Sequence, residues 1–129
     1  MIRSARYMLS LTLLACLMTL LGCGPPGVPV SDVDAARNLL DTSLQAWKAG
    51  RTVEQLRQEK PPIYVADDLW NQGVELTDYT IASDGELYGS NVRLQVKLNG
   101  LRKDGETIAQ QVKYLVTPTP ALTIAREDR

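Results

Sequence analysis

Histidine and phenylalanine are both absent from this chain of 129 residues. Without histidine, a proton shuttle at neutral pH would require a carboxylate, lysine or tyrosine with a strongly shifted pKa. Cysteine occurs twice, at positions 16 and 23, and no group of side chains has the spacing of a zinc or calcium site. The sequence therefore predicts no metal and no cofactor, and we expect the protein not to be an enzyme.

A basic run is also missing, because 14 lysines and arginines are scattered among 15 acidic residues. Proteins that neutralise a phosphate backbone concentrate their positive charge on one surface. Nucleic acid is therefore excluded as an expected partner, and so is electrostatic adhesion to anionic lipids.

The amino-terminal residues have the order of a secretory signal. Arg3 and Arg6 form a charged start, residues 7–21 are mostly apolar, and the small residue Gly22 precedes Cys23. A helix that spans a membrane needs about 20 apolar residues, and this stretch is shorter. We therefore predict that residues 1–22 are a cleaved signal peptide.

The tetrapeptide Leu20-Leu21-Gly22-Cys23 resembles the lipobox of bacterial lipoproteins. The resemblance implies that Cys23 receives diacylglycerol, becomes the first residue of the mature chain and is often acylated again, which places the protein in the cell envelope. The resemblance also implies that Gly24 rather than Asp after the cysteine directs the protein to the outer membrane, if the cell has two membranes. The alternative is an ordinary cleaved signal that happens to contain a cysteine.

The mature chain divides into a tether and one domain. Residues 23–30 contain three prolines and predict an extended spacer, up to about 25 Å long at about 3.1 Å per residue. Residues 31–129 have the usual length of a single domain. A disulfide within the mature chain is not expected, since Cys16 leaves with the signal and Cys23 carries lipid, so the fold depends on its hydrophobic core.

The domain is expected to begin with an amphipathic helix that is capped at Ser31-Asp32 and ended by Gly50. Its apolar positions recur every three or four residues: Val33, Ala36, Leu40, Leu44 and Trp47. Its other side is polar: Arg37, Asn38, Asp41, Gln45 and Lys48. Thr52 caps a predicted short second helix, which must end before Pro61-Pro62.

Alternating residues predict strands in the second half of the chain. Residues 92–98 alternate strictly, residues 108–116 continue the pattern, and Asp104-Gly105 between them favours a type I′ turn. Placing Leu94 opposite Tyr114 requires one extra residue, for which Asn99-Gly100 is the predicted bulge. Residues 74–83 and 121–126 are expected to be strands too, the first with an ambiguous phase.

This order of elements resembles the NTF2-like or cystatin-like arrangement, in which a curved sheet wraps around a helix. Pro61-Pro62-Ile63, Trp70, Gly73 and residues 122–128 are also similar to small bacterial lipoproteins of this build. The resemblance implies an α+β domain in which a long and a short helix pack on a curved antiparallel sheet of about four strands. Proteins of this kind include enzymes, ligand-binding pockets and interaction modules, so the fold does not choose a function.

Four residues form a tentative pocket: Trp70, Asp78, Tyr79 and Tyr114. Asp78 shares the phase of Val74 and Leu76, which would direct it inward, but the opposite phase of Tyr79 would leave it in solvent. Aromatic residues fill cores by default, so only an exposed Trp70 or Tyr88 would indicate recognition.

The adjacent acids Asp67 and Asp68 diverge on any regular backbone and are interpreted as turn and cap residues.

The resulting hypothesis is a lipid-anchored envelope domain that presents a surface to another protein or to a cell-wall component. The alternative is a small-ligand-binding or weakly hydrolytic NTF2-like pocket that uses Asp78 and Tyr79. Self-association through a sheet edge near Pro118 and Pro120 is a third hypothesis, and the sequence does not determine the oligomeric state.

The lipid predicts a simple localisation result. Cys23→Ser removes the sulfur that the lipid requires, so we expect the protein to leave the membrane fraction in cell fractionation. Cys16→Ser is the matched control, because that residue lies within the cleaved segment and its loss should change nothing. Membrane retention of the Cys23→Ser protein would contradict the prediction.

Overall fold

The computed structural model describes residues 32–127, so the predicted signal peptide, the predicted tether with Cys23, Ser31 and residues 128–129 lie outside the described residues. Within residues 32–127, three helices and six strands form an α+β fold with a curved, half-barrel sheet. The elements in chain order are α1 (Val33–Lys48), α2 (Val53–Arg57), β1 (Ile63–Ala66), α3 (Asp68–Asn71), β2 (Glu75–Ile81), β3 (Glu86–Tyr88), β4 (Asn91–Leu101), β5 (Thr107–Thr117) and β6 (Leu122–Arg126).

The predicted α+β class is confirmed, but the sheet differs from the prediction in two respects. It has six strands rather than about four, in the order β1-β6-β5-β4-β2, with β3 also paired to β4. It is mixed rather than antiparallel, because β1 runs parallel to β6 with Ile63 opposite Leu122. The short strands β1 and β3 account for the difference in number, since three or four residues give little periodic signal.

Local signals set the helix ends. The Asp32 side chain accepts a hydrogen bond from the Asp34 amide at 2.9 Å, and the Thr52 and Gln55 side chains form a reciprocal capping box at α2. The α1 face that packs on the sheet contains buried Ala36, Leu40, Ser43, Leu44 and Trp47. The Ser43 hydroxyl donates to the Leu39 carbonyl, which satisfies this one polar group among apolar neighbours.

The β4–β5 hairpin has the predicted pairs but not the predicted bulge. Pairing is unbroken between the two strands, with Leu94 opposite Tyr114 and Gly100 opposite Ile108. The additional residue lies in the turn, where the Gly105 amide donates to the Arg102 carbonyl and Gly105 has φ 92°. The expected type I′ turn is also wrong, because no non-glycine residue among those described has positive φ, and a three-residue loop with a left-handed glycine replaces it.

The bulge instead lies in β2, at Thr77. Leu76 pairs with Gly100 and Asp78 with Asn99, so Thr77 is the additional residue, and its hydroxyl donates to the Asn99 carbonyl at 3.0 Å. One extra residue moves every later side chain of the strand to the opposite face of the sheet. Leu76 before the bulge and Tyr79 after it therefore both contact the core. The ambiguous phase of residues 74–83 therefore reflects two correct phases joined at Thr77.

The connection between β2 and β3 lies against the start of α1. A Cβ atom at Gly85 would come within 2.7 Å of the Val33 side chain, and Gly85 has φ 97°. At the other end of α1, the Trp47 indole donates to the Val74 carbonyl at 2.8 Å. The helix therefore runs antiparallel to β2, with its amino terminus at the β3 end of the sheet.

We predict that Gly85→Ala destabilises the domain more than Gly105→Ala does. Both glycines have positive φ, so alanine is strained at each by about 1–2 kcal/mol. At Gly85 the methyl group also collides with Val33, whereas at Gly105 nothing lies within 4 Å of it. The free energy of unfolding should therefore fall by about 1–3 kcal/mol more in the Gly85 variant. Urea unfolding of the two variants measures the difference, and equal losses would contradict the packing of α1 on this connection.

Candidate functional site

A groove between α1 and β2 forms a surface cavity with a volume of about 740 Å³. We call it the α1–β2 groove. It is lined by Arg37, Asn38, Asp41, Gln45, Lys48, Ala49, Asp78, Tyr79, Thr80 and Ile81. Most of these side chains are polar or charged, so the groove fits a ligand that forms hydrogen bonds better than it fits an apolar one.

Helical spacing supplies one wall of the groove. Arg37, Asp41 and Gln45 follow each other at intervals of four residues, which places them on one side of α1. The sequence pattern predicts that these residues lie on the solvent side of the helix. Helical spacing alone does not show that β2 lies beside this polar row. The two meet because the bulge at Thr77 directs Tyr79 towards the helix.

Tyr79 joins the two walls. Its hydroxyl donates to the Asp41 carboxylate at 2.6 Å and lies 3.3 Å from the Asp41 carbonyl oxygen. Burial, and then the hydrogen bond with Asp41, raise the pKa of Tyr79 to about 12. The phenol therefore keeps its proton at neutral pH and can donate a hydrogen bond, but it is not a general base there.

The charged groups of the groove balance one another. At one end, Arg37 donates to the Ser83 carbonyl at 2.6 Å. At the other end, the Lys48 ammonium lies 4.0 Å from the Asp78 carboxylate, and both side chains are more than half exposed. Two cations and two carboxylates thus line the groove, which favours no ligand of a single charge sign.

The four residues of the predicted pocket do not meet. Asp78 and Tyr79 line the α1–β2 groove, whereas Trp70 and Tyr114 are buried in the core. Trp70 stacks on Trp47 with ring centres 5.0 Å apart and donates its indole N–H to the Arg51 carbonyl. Asp78 points to solvent, with 66% of its side chain exposed, as the phase of Tyr79 requires.

Tyr114 and Asp67 form a buried polar pair that the sequence did not predict. Asp67 caps α3, as expected, by accepting from the amides of Leu69 and Trp70, yet it is only 2% exposed. Its second oxygen accepts from the Tyr114 hydroxyl at 2.5 Å, and Arg126 lies 3.7 Å from the carboxylate. Burial, and then the charge of Asp67, raise the pKa of Tyr114 well above its usual value. Each polar group has a partner, so this pair stabilises the fold.

Besides the α1–β2 groove, strand β3 carries a second feature that indicates recognition, which is a pair of exposed large side chains. Tyr88 is 50% exposed and Leu87 is 52% exposed, although both are large apolar side chains. The Arg93 guanidinium lies 4.0 Å above the Tyr88 ring and forms a two-pronged ion pair with Glu127 at 2.8 Å. This ion pair holds the pKa of Glu127 below its usual value. Of the two aromatics named as indicators of recognition, Tyr88 is exposed and Trp70 is not.

The described part of the chain has neither a metal-binding cluster nor a membrane-spanning helix. No group of three or more cysteine or acidic residues there could hold a metal ion. No helix within residues 32–127 combines the length and the apolar character needed to cross a membrane.

Comparisons of the chain with protein-family models, with curated proteins and with solved structures found no match.

We predict that Tyr114→Phe destabilises the domain by about 1–3 kcal/mol, because it leaves a buried carboxylate oxygen without its donor. Tyr79→Phe is the matched control. It removes the same hydroxyl from a half-exposed position where water can replace it, so it should cost about 0.5–1.5 kcal/mol. Chemical denaturation measures both, and an equal or smaller loss for Tyr114→Phe would contradict the structural role of the pair.

Proposed function

We propose that this protein is a lipid-anchored lipoprotein of the bacterial cell envelope whose domain is a non-enzymatic binding module. Cys23 carries the lipid, and the α1–β2 groove binds a polar segment of an envelope protein or of the cell wall. The proposal takes the domain to be NTF2-like or cystatin-like, since a long helix lies on one face of a curved sheet.

The groove is the observation that carries this proposal. It combines a cavity of about 740 Å³ with hydrogen-bonding side chains on both walls. The amides Asn38 and Gln45 are exposed on α1, and an amide side chain carries both donors and an acceptor for hydrogen bonds. Such a surface recognises a polar chain by directional hydrogen bonds rather than by charge or apolar area.

Binding is a better account of this groove than catalysis. Hydrolysis needs a base that reaches a water molecule or a nucleophile, and the Tyr79 hydroxyl is protonated at neutral pH and already donates to Asp41. Asp78, next to Tyr79 in β2, is exposed to solvent, and its carboxylate lies 4.0 Å from the Lys48 ammonium.

Small-ligand binding by Asp78 and Tyr79 is the second candidate. It is favoured by one observation, which is that both residues line the α1–β2 groove. In this case the ligand would be bound at the Lys48 end of the groove, where Asp78 lies 4.0 Å from the ammonium group.

A thermal-shift screen with soluble cell-wall fragments and envelope metabolites tests both candidates. We expect a saturable rise in melting temperature that is lost in the Asn38→Ala/Gln45→Ala variant, because these amides supply hydrogen bonds from α1. The matched control is Gln110→Ala/Gln111→Ala, which removes two exposed amides from β5 outside the groove.

Loss of the shift in Asp78→Ala alone would favour the small-ligand candidate. If no fragment binds, photo-crosslinking in cells from position 45 tests for a protein occupant. An absence of both ligand and crosslinked partner would refute the groove as the binding site.

A further inference from the structure

The domain has an apolar projection at the end where its tether begins. β3 and the start of β4 form a hairpin whose turn is Gly89-Ser90, and we call residues 87–90 the β3 tip. Leu87 pairs with the core residue Val92, so it continues the helix-facing side of the sheet, but it is exposed. Tyr88 pairs with Asn91 and leaves the strand on the opposite face. Both faces of the β3 tip therefore present a large apolar or aromatic side chain to solvent.

The packing of α1 places the β3 tip beside the attachment point of the tether. The first helical residue, Val33, lies against Gly85, and Arg37 donates to the Ser83 carbonyl. Because α1 runs antiparallel to β2, the β2–β3 connection passes the start of the helix at Gly85 and then continues towards Tyr88. The three residues from Gly85 to Tyr88 extend about 10 Å. The tether thus joins the domain at the end that carries Leu87 and Tyr88.

The tether also limits how far this end can lie from a membrane. If Cys23 carries lipid, residues 23–30 keep the domain within about 25 Å of the lipid surface even when they are fully extended. Tyrosine is favoured at the boundary between lipid and water, where its ring is partly buried and its hydroxyl stays hydrated. Exposed leucine gains from leaving water at the same boundary.

We propose that the β3 tip docks the domain on the membrane that holds its lipid, with Leu87 and Tyr88 entering the interfacial layer. This inference rests on the proposed function, because it requires the lipid at Cys23. The acidic residues Asp84 and Glu86 flank the tip, and Arg93 is paired with Glu127, so the attraction is apolar rather than electrostatic. Docking leaves the α1–β2 groove on the side of the domain, where a partner can still reach it.

The test uses the full-length lipidated protein, purified from membranes and reconstituted into vesicles of phosphatidylethanolamine and phosphatidylglycerol. The mature chain has no free thiol once Cys23 is lipidated, so Tyr88→Cys introduces one position for an NBD fluorophore. The matched control is Asp104→Cys in the β4–β5 turn. The eleven residues of β4 separate the two positions by about 36 Å.

We expect blue-shifted emission from NBD at position 88, and reduction of the fluorophore by external dithionite at least about tenfold more slowly than at position 104. Adding Leu87→Ser to the Tyr88→Cys protein should remove most of this protection. High salt should not reduce the protection, because the tip carries no basic cluster.

Equal reduction rates at positions 88 and 104 in vesicles would overturn the inference. A crosslink in cells from position 88 to another protein, together with no protection by lipid in vesicles, would also overturn it. The tip would then be a protein interface. The proposed lipid is tested separately by the mass of the mature amino-terminal peptide. An unmodified Cys23 refutes the proposed function, whereas a lipidated Cys23 with an unprotected position 88 refutes only the docking.

Discussion

The placement of α1 on the sheet determines the rest of this structure. Trp47 attaches one end of the helix through its indole hydrogen bond to the Val74 carbonyl and its stack on Trp70. At the other end, Gly85 lets the β2–β3 connection approach Val33 closely. Since both ends are fixed, the groove beside β2 and the exposed β3 tip beyond the helix start both follow from this one packing arrangement.

Polar chemistry is divided between the interior and the surface. The interior contains a carboxylate, Asp67, whose oxygens are fully used by α3, Tyr114 and Arg126. A satisfied group of this kind stabilises one arrangement of the core and is not free to act on a ligand. The α1–β2 groove has its polar groups within reach of solvent, where a ligand can replace water. The location of a polar residue, and not its chemical type, therefore separates the structural acid from the residues that can bind.

Several elements were predictable because their signals are local. The capping box at Thr52, the cap at Asp67 and the alternation of β4 each depend on residues within a few positions of one another. The pairing of Leu94 with Tyr114 was predicted because one apolar face had to be continuous. The site was predicted less well. Asp78 and Tyr79 line the groove, but Trp70 and Tyr114 belong to the core. The helical spacing of Arg37, Asp41 and Gln45 predicts only a solvent face.

The sequence by itself determined the α+β class, the helix caps and the inward faces of the long strands, because periodicity and capping act over a few residues. It also contains the tetrapeptide Leu20-Leu21-Gly22-Cys23, whose resemblance to a lipobox supports the proposed location. Only the tertiary structure decided the parallel pairing of β1 with β6, the bulge at Thr77 and the meeting of Tyr79 with Asp41. These features join segments tens of residues apart. Their energies depend on which surfaces remain uncovered after the local elements have formed, and that is a property of the packed chain.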